Sequence, residues 1–238
     1  MTRRVLEVVA TSLIDARAAV VGGADRLELA GCHTAAGALT PSPGLMVATR
    51  RIAPHVPIFA MIRPRYGAFT YDGEEVLQME HDIAAARASG MDGVIFGAIT
   101  INQELDDAVL HRLFTAANGM AVCINMAFDR CHDAGATLDW LIRDGRAARV
   151  LTAGGAKTAL EGADPIAKLI ARAAGKIEVL PGSAIDADSL PKLLNAVPAV
   201  KQVHVSAGAR SAPSDFAPVD SDVVARLKLI LEETCSAL

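Results

Sequence analysis

Aromatic residues make up only 4% of this 238-residue chain, and acidic and basic residues nearly cancel, for a formal net charge of −4. Such a chain offers neither the stacking surface nor the positive footprint that nucleic acid requires. No apolar run approaches the roughly 20 residues a membrane helix needs. The opening MTRRVLEVVA is too short in apolar residues for a secretion signal. The cysteines, Cys32, Cys123, Cys131 and Cys235, are scattered and form no CxxC pair. They are expected to be reduced thiols in a cytoplasmic protein. There is no GxSxG elbow, no HExxH and no His-x-x-x-His, so neither a serine hydrolase nor a helical zinc site is signalled. No linker or charge block divides the chain, which reads as a single domain over 1–238.

What is present is a rhythm. Short apolar runs at Val5–Ala10, Arg26–Ala30, Ile58–Arg63, Gly93–Ile99, Ala121–Phe128, Arg149–Ala153, Ile177–Pro181 and Gln202–Ala207 alternate with helical stretches. Glu74–Ser89 is the clearest helix, with Val76, Met79, Ile83 and Ala86 on one face, Asp72 as N-cap and Gly90 closing it. Asp106–Asn118 and Thr158–Ala174 repeat the pattern, and Pro165 is expected to start a second helical piece in the latter. Strand and helix in unbroken alternation predict an α/β fold, a single (β/α)8 TIM barrel. An open doubly wound sheet is the competing architecture, but the first strand runs into ATSLIDAR, without a glycine-rich dinucleotide turn.

In such a barrel, chemistry sits where strands end. The stretch PIFAMIRPRYGAFTY (57–71) draws attention, because an apolar strand ends in Arg63 and Arg65, which share a face if the strand persists. Glu7 and Glu28 are carboxylates set among leucines, and a buried charge needs a cation or hydrogen-bond donors. Arg63 and Arg65 are the expected cations. Later strands add Cys123, Asn125, Thr152, His204 and Ser206. Each could be structural alone; together at a barrel mouth they describe a pocket. Glycine turns after the last two strands, at Gly182–Ser183 and Gly208, suggest an anion cup with Thr152, Ser206 and, after the last turn, Arg210.

The ordered set GADRLELAG, GALTPSPG, IRPRYGAF, AFD at Ala127–Asp129, RVLTAGG, VLPGSAI and VHVSAGAR resembles the CutC family from Leu6 to about Ala209. The resemblance implies a (β/α)8 barrel, a homo-oligomer, and a name drawn from cytosolic copper homeostasis. Glu7, Glu28, Arg63, Arg65, Asp129, Thr152, His204 and Ser206 match that family's pattern. Three places depart from it. Ala30 stands where a cysteine is usual, with Cys32 two residues on; Ala68 replaces an aspartate; Asn125-Met126 replaces a His-Arg pair. An amide and a thioether cannot act as acid or base at neutral pH.

Two chemistries therefore compete. Copper(I) would call on soft ligands, with Cys32 and Cys123 as metal candidates and His33, Met61, Met126, Cys131 and His132 near them. The alternative is an enzyme or binding protein for a small phosphorylated or carboxylated metabolite. There Glu7, Glu28, Asp129 and His204 would do acid–base work, and arginines would hold the anion. A Schiff base is disfavoured, since only Lys157 falls at the predicted mouth.

Overall fold

The computed structural model describes residues 3–34, 37–212 and 217–236. In chain order the strands are β1 (Val5–Ala10), β2 (Arg26–Leu29), β3 (Cys32–Thr34), β4 (Gly37–Leu39), β5 (Ile58–Met61), β6 (Gly93–Phe96), β7 (Ala121–Ile124), β8 (Arg149–Thr152), β9 (Glu178–Pro181) and β10 (Gln202–Val205). The helices are α1 (Leu13–Val21), α2 (Pro43–Ile52), α3 (Gly73–Ala88), α4 (Asp107–Ala116), α5 (Ala134–Asp144), α6 (Ala163–Ala173), α7 (Leu190–Ala196) and α8 (Ser221–Ser236). Eight strands run parallel in the order β10-β1-β2-β5-β6-β7-β8-β9, the wall of a (β/α)8 barrel. Between β9 and β10 no ladder forms among the described residues. A long contact from Gln202 Nε2 to Glu178 Oε2, 3.4 Å, bridges that seam instead.

Strand alternation sorts the side chains into two layers. Phe59, Met61, Ile95, Cys123, Leu151 and Leu180 pack together inside the barrel. The intervening positions, among them Leu6, Leu27, Ile58, Val94, Phe96 and Val150, face the helices and join the larger core. Each fully buried Leu, Ile or Phe there stabilises the fold by about 1.5–3 kcal/mol. On α8, Val224, Leu227 and Leu231 are wholly buried in this layer, so that helix spends its apolar face on its own barrel.

The barrel strands are shorter than the apolar runs suggest. β5 stops at Met61, because Pro64 has no N–H to donate and pushes Arg63 out of regular pairing. β6 stops before Gly97, where a Cβ would lie 2.3 Å from Asn125 Oδ1. The chain after β7 turns into a 3-10 helix, Phe128–Arg130. In the stretch from Thr158, Gly162 lies so near Ala153 O that a Cβ would come within 1.8 Å, and α6 begins only after this contact, with Pro165 in its first turn. The element without a counterpart in the sequence reading is the antiparallel hairpin β3–β4, with Cys32 opposite Leu39. Gly31 N donates to Leu39 O and Thr40 N to Arg63 O. Ala38 joins the inner cluster, so the hairpin covers one side of the barrel mouth. The side chain of Cys235 lies outside the described residues.

Candidate functional site

Parallel register puts Glu7 level with His204 on one side and with Arg26 on the other. All of these are buried, as is Glu28, which is 2% exposed. Arg26 Nε donates to Glu7 Oε2 and Arg26 Nη2 to Gln202 Oε1, the latter at 2.7 Å. His204 Nδ1 lies 2.8 Å from Glu7 Oε1 and 3.7 Å from Glu28 Oε2. Among the described residues, Glu28 Oε2 has no hydrogen-bond partner.

The two carboxylates are thus made unlike. Burial opposes the charge on Glu7, but Arg26 and His204 outweigh it and hold that carboxyl far below the usual range. Burial lifts Glu28 to about 7, the Glu7 charge adds to the lift, and His204 and Arg26 only partly offset it. Burial works against a charged His204, yet Glu28 and Glu7 prevail and raise its pKa. A carboxyl raised to about 7 beside an imidazole can take up or release a proton near physiological pH.

The ligating atoms of Glu7, Glu28 and His204 lie within 4.8 Å of one another, the only such group of three among the described residues, and no cysteine belongs to it. A metal fits it poorly. Both Glu7 oxygens are engaged, one by the Arg26 cation and one by His204, so no open three-ligand cup exists.

The other expected site residues are placed as follows. Arg63 is buried, with its guanidinium 4.5 Å from the Phe69 ring centre and its Nη2 donating to Gly67 O at 2.7 Å. The hairpin presses on it at Gly37, where φ is +104° and a Cβ would sit 2.2 Å from Arg63 Nη1. The cation expected of Arg63 at Glu7 is supplied by Arg26. Arg65 needs a larger correction. It is exposed and paired through both Nε and Nη2 with Glu75, the residue that closes the capping box of α3 with Asp72. It anchors a helix start, and is neither the cation expected for Glu7 and Glu28 nor free to hold an anion.

Asp129 and Thr152 form a latch. Thr152 Oγ1 donates to Asp129 Oδ1, Ala153 N donates to Asp129 Oδ2 at 2.6 Å, and Gly154 N donates to Thr152 Oγ1 at 2.8 Å. Thr152 faces the helices by parity, so its hydroxyl shapes the loop after β8 and does not enter an anion cup. Ser183 Oγ likewise donates to Lys157 O, 2.8 Å. Gly182 packs under His204, since a Cβ would meet His204 Cδ2 at 3.2 Å, and Gly208 lies against Ile185 O. Ser206 Oγ meets His33 Nδ1 of the hairpin at 3.2 Å. Cys123 is buried in the apolar interior, where burial, reinforced by Glu7, drives its thiol pKa upward. Cys32 is half-buried and lines a cavity beside the mouth.

Arg26, Arg149 and Gln202 escaped the sequence reading. Arg26 and Arg149 open their strands and turn inward toward the same ring, 5.7 and 4.3 Å from the Phe59 centre. The signal for Arg26 was available: it lies two residues before Glu28 and so shares its face.

Comparison with known proteins agrees with the barrel fold. The CutC family pattern matches residues 4–209. The CutC protein of Sinorhizobium medicae is 42% identical over 220 residues, which cover 92% of this chain and 88% of the relative. A solved structure from Streptococcus agalactiae, a CutC whose name refers to copper homeostasis, superposes with a TM-score of 0.79 at 28% identity, covering 84% of this chain and 97% of that one. A thiamine phosphate pyrophosphorylase from Pyrococcus furiosus shares the fold, with a TM-score of 0.63 at 15% identity over 97% of this chain and 96% of that one. By sequence over nearly its whole length and by fold, the chain belongs to the CutC family.

Proposed function

We propose that this protein binds a small polar metabolite at the barrel mouth and transfers a proton to or from it through Glu28 and His204. The observation that carries this reading is the buried Glu28 oxygen without a hydrogen bond, 3.7 Å from His204. An unsatisfied carboxyl oxygen in a dry site is costly unless a ligand meets it. Glu7, locked by Arg26, fixes the imidazole at Nδ1 and leaves Nε2 for the ligand. The apolar wall of Phe59, Ile95 and Leu151 keeps water from competing for the proton. Proton abstraction followed by isomerisation or elimination is the reaction class these groups can serve.

The test needs no prior substrate. The protein is incubated in deuterated buffer with pooled phosphorylated and carboxylated metabolites, and carbon-bound deuterium is read by mass spectrometry. Incorporation that Glu28→Gln and His204→Gln each abolish supports the reading. No incorporation or conversion in any pool sinks it.

A copper reading is favoured by one observation, that Cys32 and His33, soft and borderline ligands, line the same cavity. Copper(I) would be held there by the Cys32 thiolate and the His33 imidazole. Cys123 fits it poorly, because its buried surroundings oppose the thiolate. An anaerobic copper(I) titration against a chromogenic chelator decides: weak or substoichiometric uptake is expected. Stoichiometric uptake lost in Cys32→Ser would establish copper handling in its place.

A further inference from the structure

A second feature lies beside the mouth, where the ends of β1, β2 and β10 meet. A cavity of about 280 Å³ opens there, lined by Thr11, Ser12, Ile14, Cys32, His33 and Arg210 among others. Arg210 is the unusual member. Its side chain is 2% exposed, its Nη1 donates to Ala217 O at 2.5 Å, and that same nitrogen lies 3.7 Å from Asp15 Oδ2. Among the described residues, Nε and Nη2 have no hydrogen-bond partner. These two nitrogens form the lateral edge of the guanidinium, which pairs with two oxygens of one oxyanion. Asp15 does not fill that role, for its carboxylate is taken by Thr11 N at 3.0 Å, Thr11 Oγ1 at 2.8 Å and Val219 N at 3.0 Å.

The start of α1 shares the cavity. Ser12 is its N-cap and accepts from Asp15 N. Among the described residues no side chain caps the N–H groups of Leu13 and Ile14 in the same first turn, the positive end of a nine-residue helix. An anion here has a guanidinium edge and the start of α1 at Ser12 and Ile14 to meet. The third side of the cavity is the hairpin, since His33 lines it and also touches Ser206, next to the strand that carries His204.

We propose that this cavity is the anion subsite of the barrel and takes the phosphate group of a phosphorylated small molecule. Two phosphate oxygens meet the Nε/Nη2 edge of Arg210, and a third meets the first amides of α1, which is why a tetrahedral oxyanion suits it better than a planar carboxylate. The remainder of the ligand passes His33 toward Glu28 and His204; only this last clause rests on the proton-transfer reading above.

Inorganic phosphate and glycerol 3-phosphate, with glycerol and sodium chloride at matched ionic strength as controls, are titrated into the full-length protein by calorimetry and thermal shift. Both phosphates are expected to bind and raise the melting midpoint, and neither control to do so. Arg210→Lys keeps the charge but loses the fork, and should weaken phosphate on the order of ten- to a hundredfold. Because a change at a buried arginine can impair folding, Ile14→Asp is the second variant. It puts a carboxylate at the cavity rim, 70% exposed in the wild type, and an acidic residue in a first helical turn does not disfavour the helix. It should abolish phosphate binding in a folded protein. Glu28→Gln should bind inorganic phosphate as wild type does, even if proton transfer is never detected. Phosphate no better than chloride overturns the proposal, as does unchanged affinity in folded Ile14→Asp. Loss of phosphate binding in Glu28→Gln would move the anion into the barrel and overturn it equally.

Discussion

The two halves of the barrel interior are built on opposite terms. On the β10–β1–β2 side, inward positions carry His204, Glu7, Arg26 and Glu28. On the β6–β7–β8 side, Ile95, Cys123 and Leu151 pack with Phe59 into an apolar face, and Arg149 is the one charged residue on these inner positions, at the lower end of its strand. The apolar half supplies a dry, low-dielectric wall; the polar half has charges whose energies that wall magnifies. One half alone would be an inert core or a hydrated surface. Both carboxylates feel that wall, but only Glu7 has hydrogen-bonded partners in Arg26 and His204, which makes Glu28 so unlike it.

The sharpest way to break this contrast is to remove the central charge. Glu7→Gln strands Arg26 in the interior, and breaking a buried ion pair from one side costs about 3–5 kcal/mol. Urea unfolding measures it, and a loss below about 1 kcal/mol would show that the polar half is not held by Glu7. Leu151→Ala on the other wall should cost about 2–5 kcal/mol through cavity formation, with no dependence on pH.

The next effect is a pH profile. Folded Glu28 keeps its proton up to about pH 7, whereas the unfolded chain releases it near 4.5. The folded state binds the extra proton in that window, so stability falls as pH rises through it. His204 acts in the same direction: its raised pKa gives a stabilisation that is full below about 6.5 and is lost as pH climbs through the folded value. Melting midpoints from pH 5 to 8 should therefore decline, and Glu28→Gln should flatten the decline. A profile identical in wild type and variant contradicts the assignment.

A smaller, chemical contrast concerns the thiols. In a background with Cys131→Ser and Cys235→Ser, Cys32 should react promptly with a thiol reagent and Cys123 only on unfolding, because burial disfavours its thiolate. Equal reactivity would mean that the apolar wall admits solvent. The smallest effect is expected at Arg65. Its ion pair with Glu75 is 43% exposed on the arginine side, so Arg65→Ala should cost under about 1 kcal/mol and less in high salt.

The sequence displays this architecture unevenly. All eight barrel strands are legible because an apolar run in a parallel sheet is buried on both faces, and the parity that turns Glu7, Glu28 and His204 inward follows from the runs alone. The pairing among charges is less legible. Arg63 and Arg65 stand out in their motif, but pairing follows register between strands, and register places Arg26 opposite Glu7. The partner of Arg65 is hard to see, because Glu75 is the N3 residue of a capping box and reads simply as a helix start. The hairpin over the mouth was invisible because GCHTAAGALT has neither the length nor the alternation of a strand pair. Its stability comes from packing on Arg63 and the barrel interior, which no local pattern records.

The seam between β9 and β10 gives the wall a place to part. Amide hydrogens along the two facing edges have no partner strand to protect them, so exchange with deuterated solvent should begin there before the rest of the barrel opens. His204 stands on one bank of that seam, with Gly182 beneath its ring and no side chain between. The imidazole thus lies beside the part of the wall that is expected to open first.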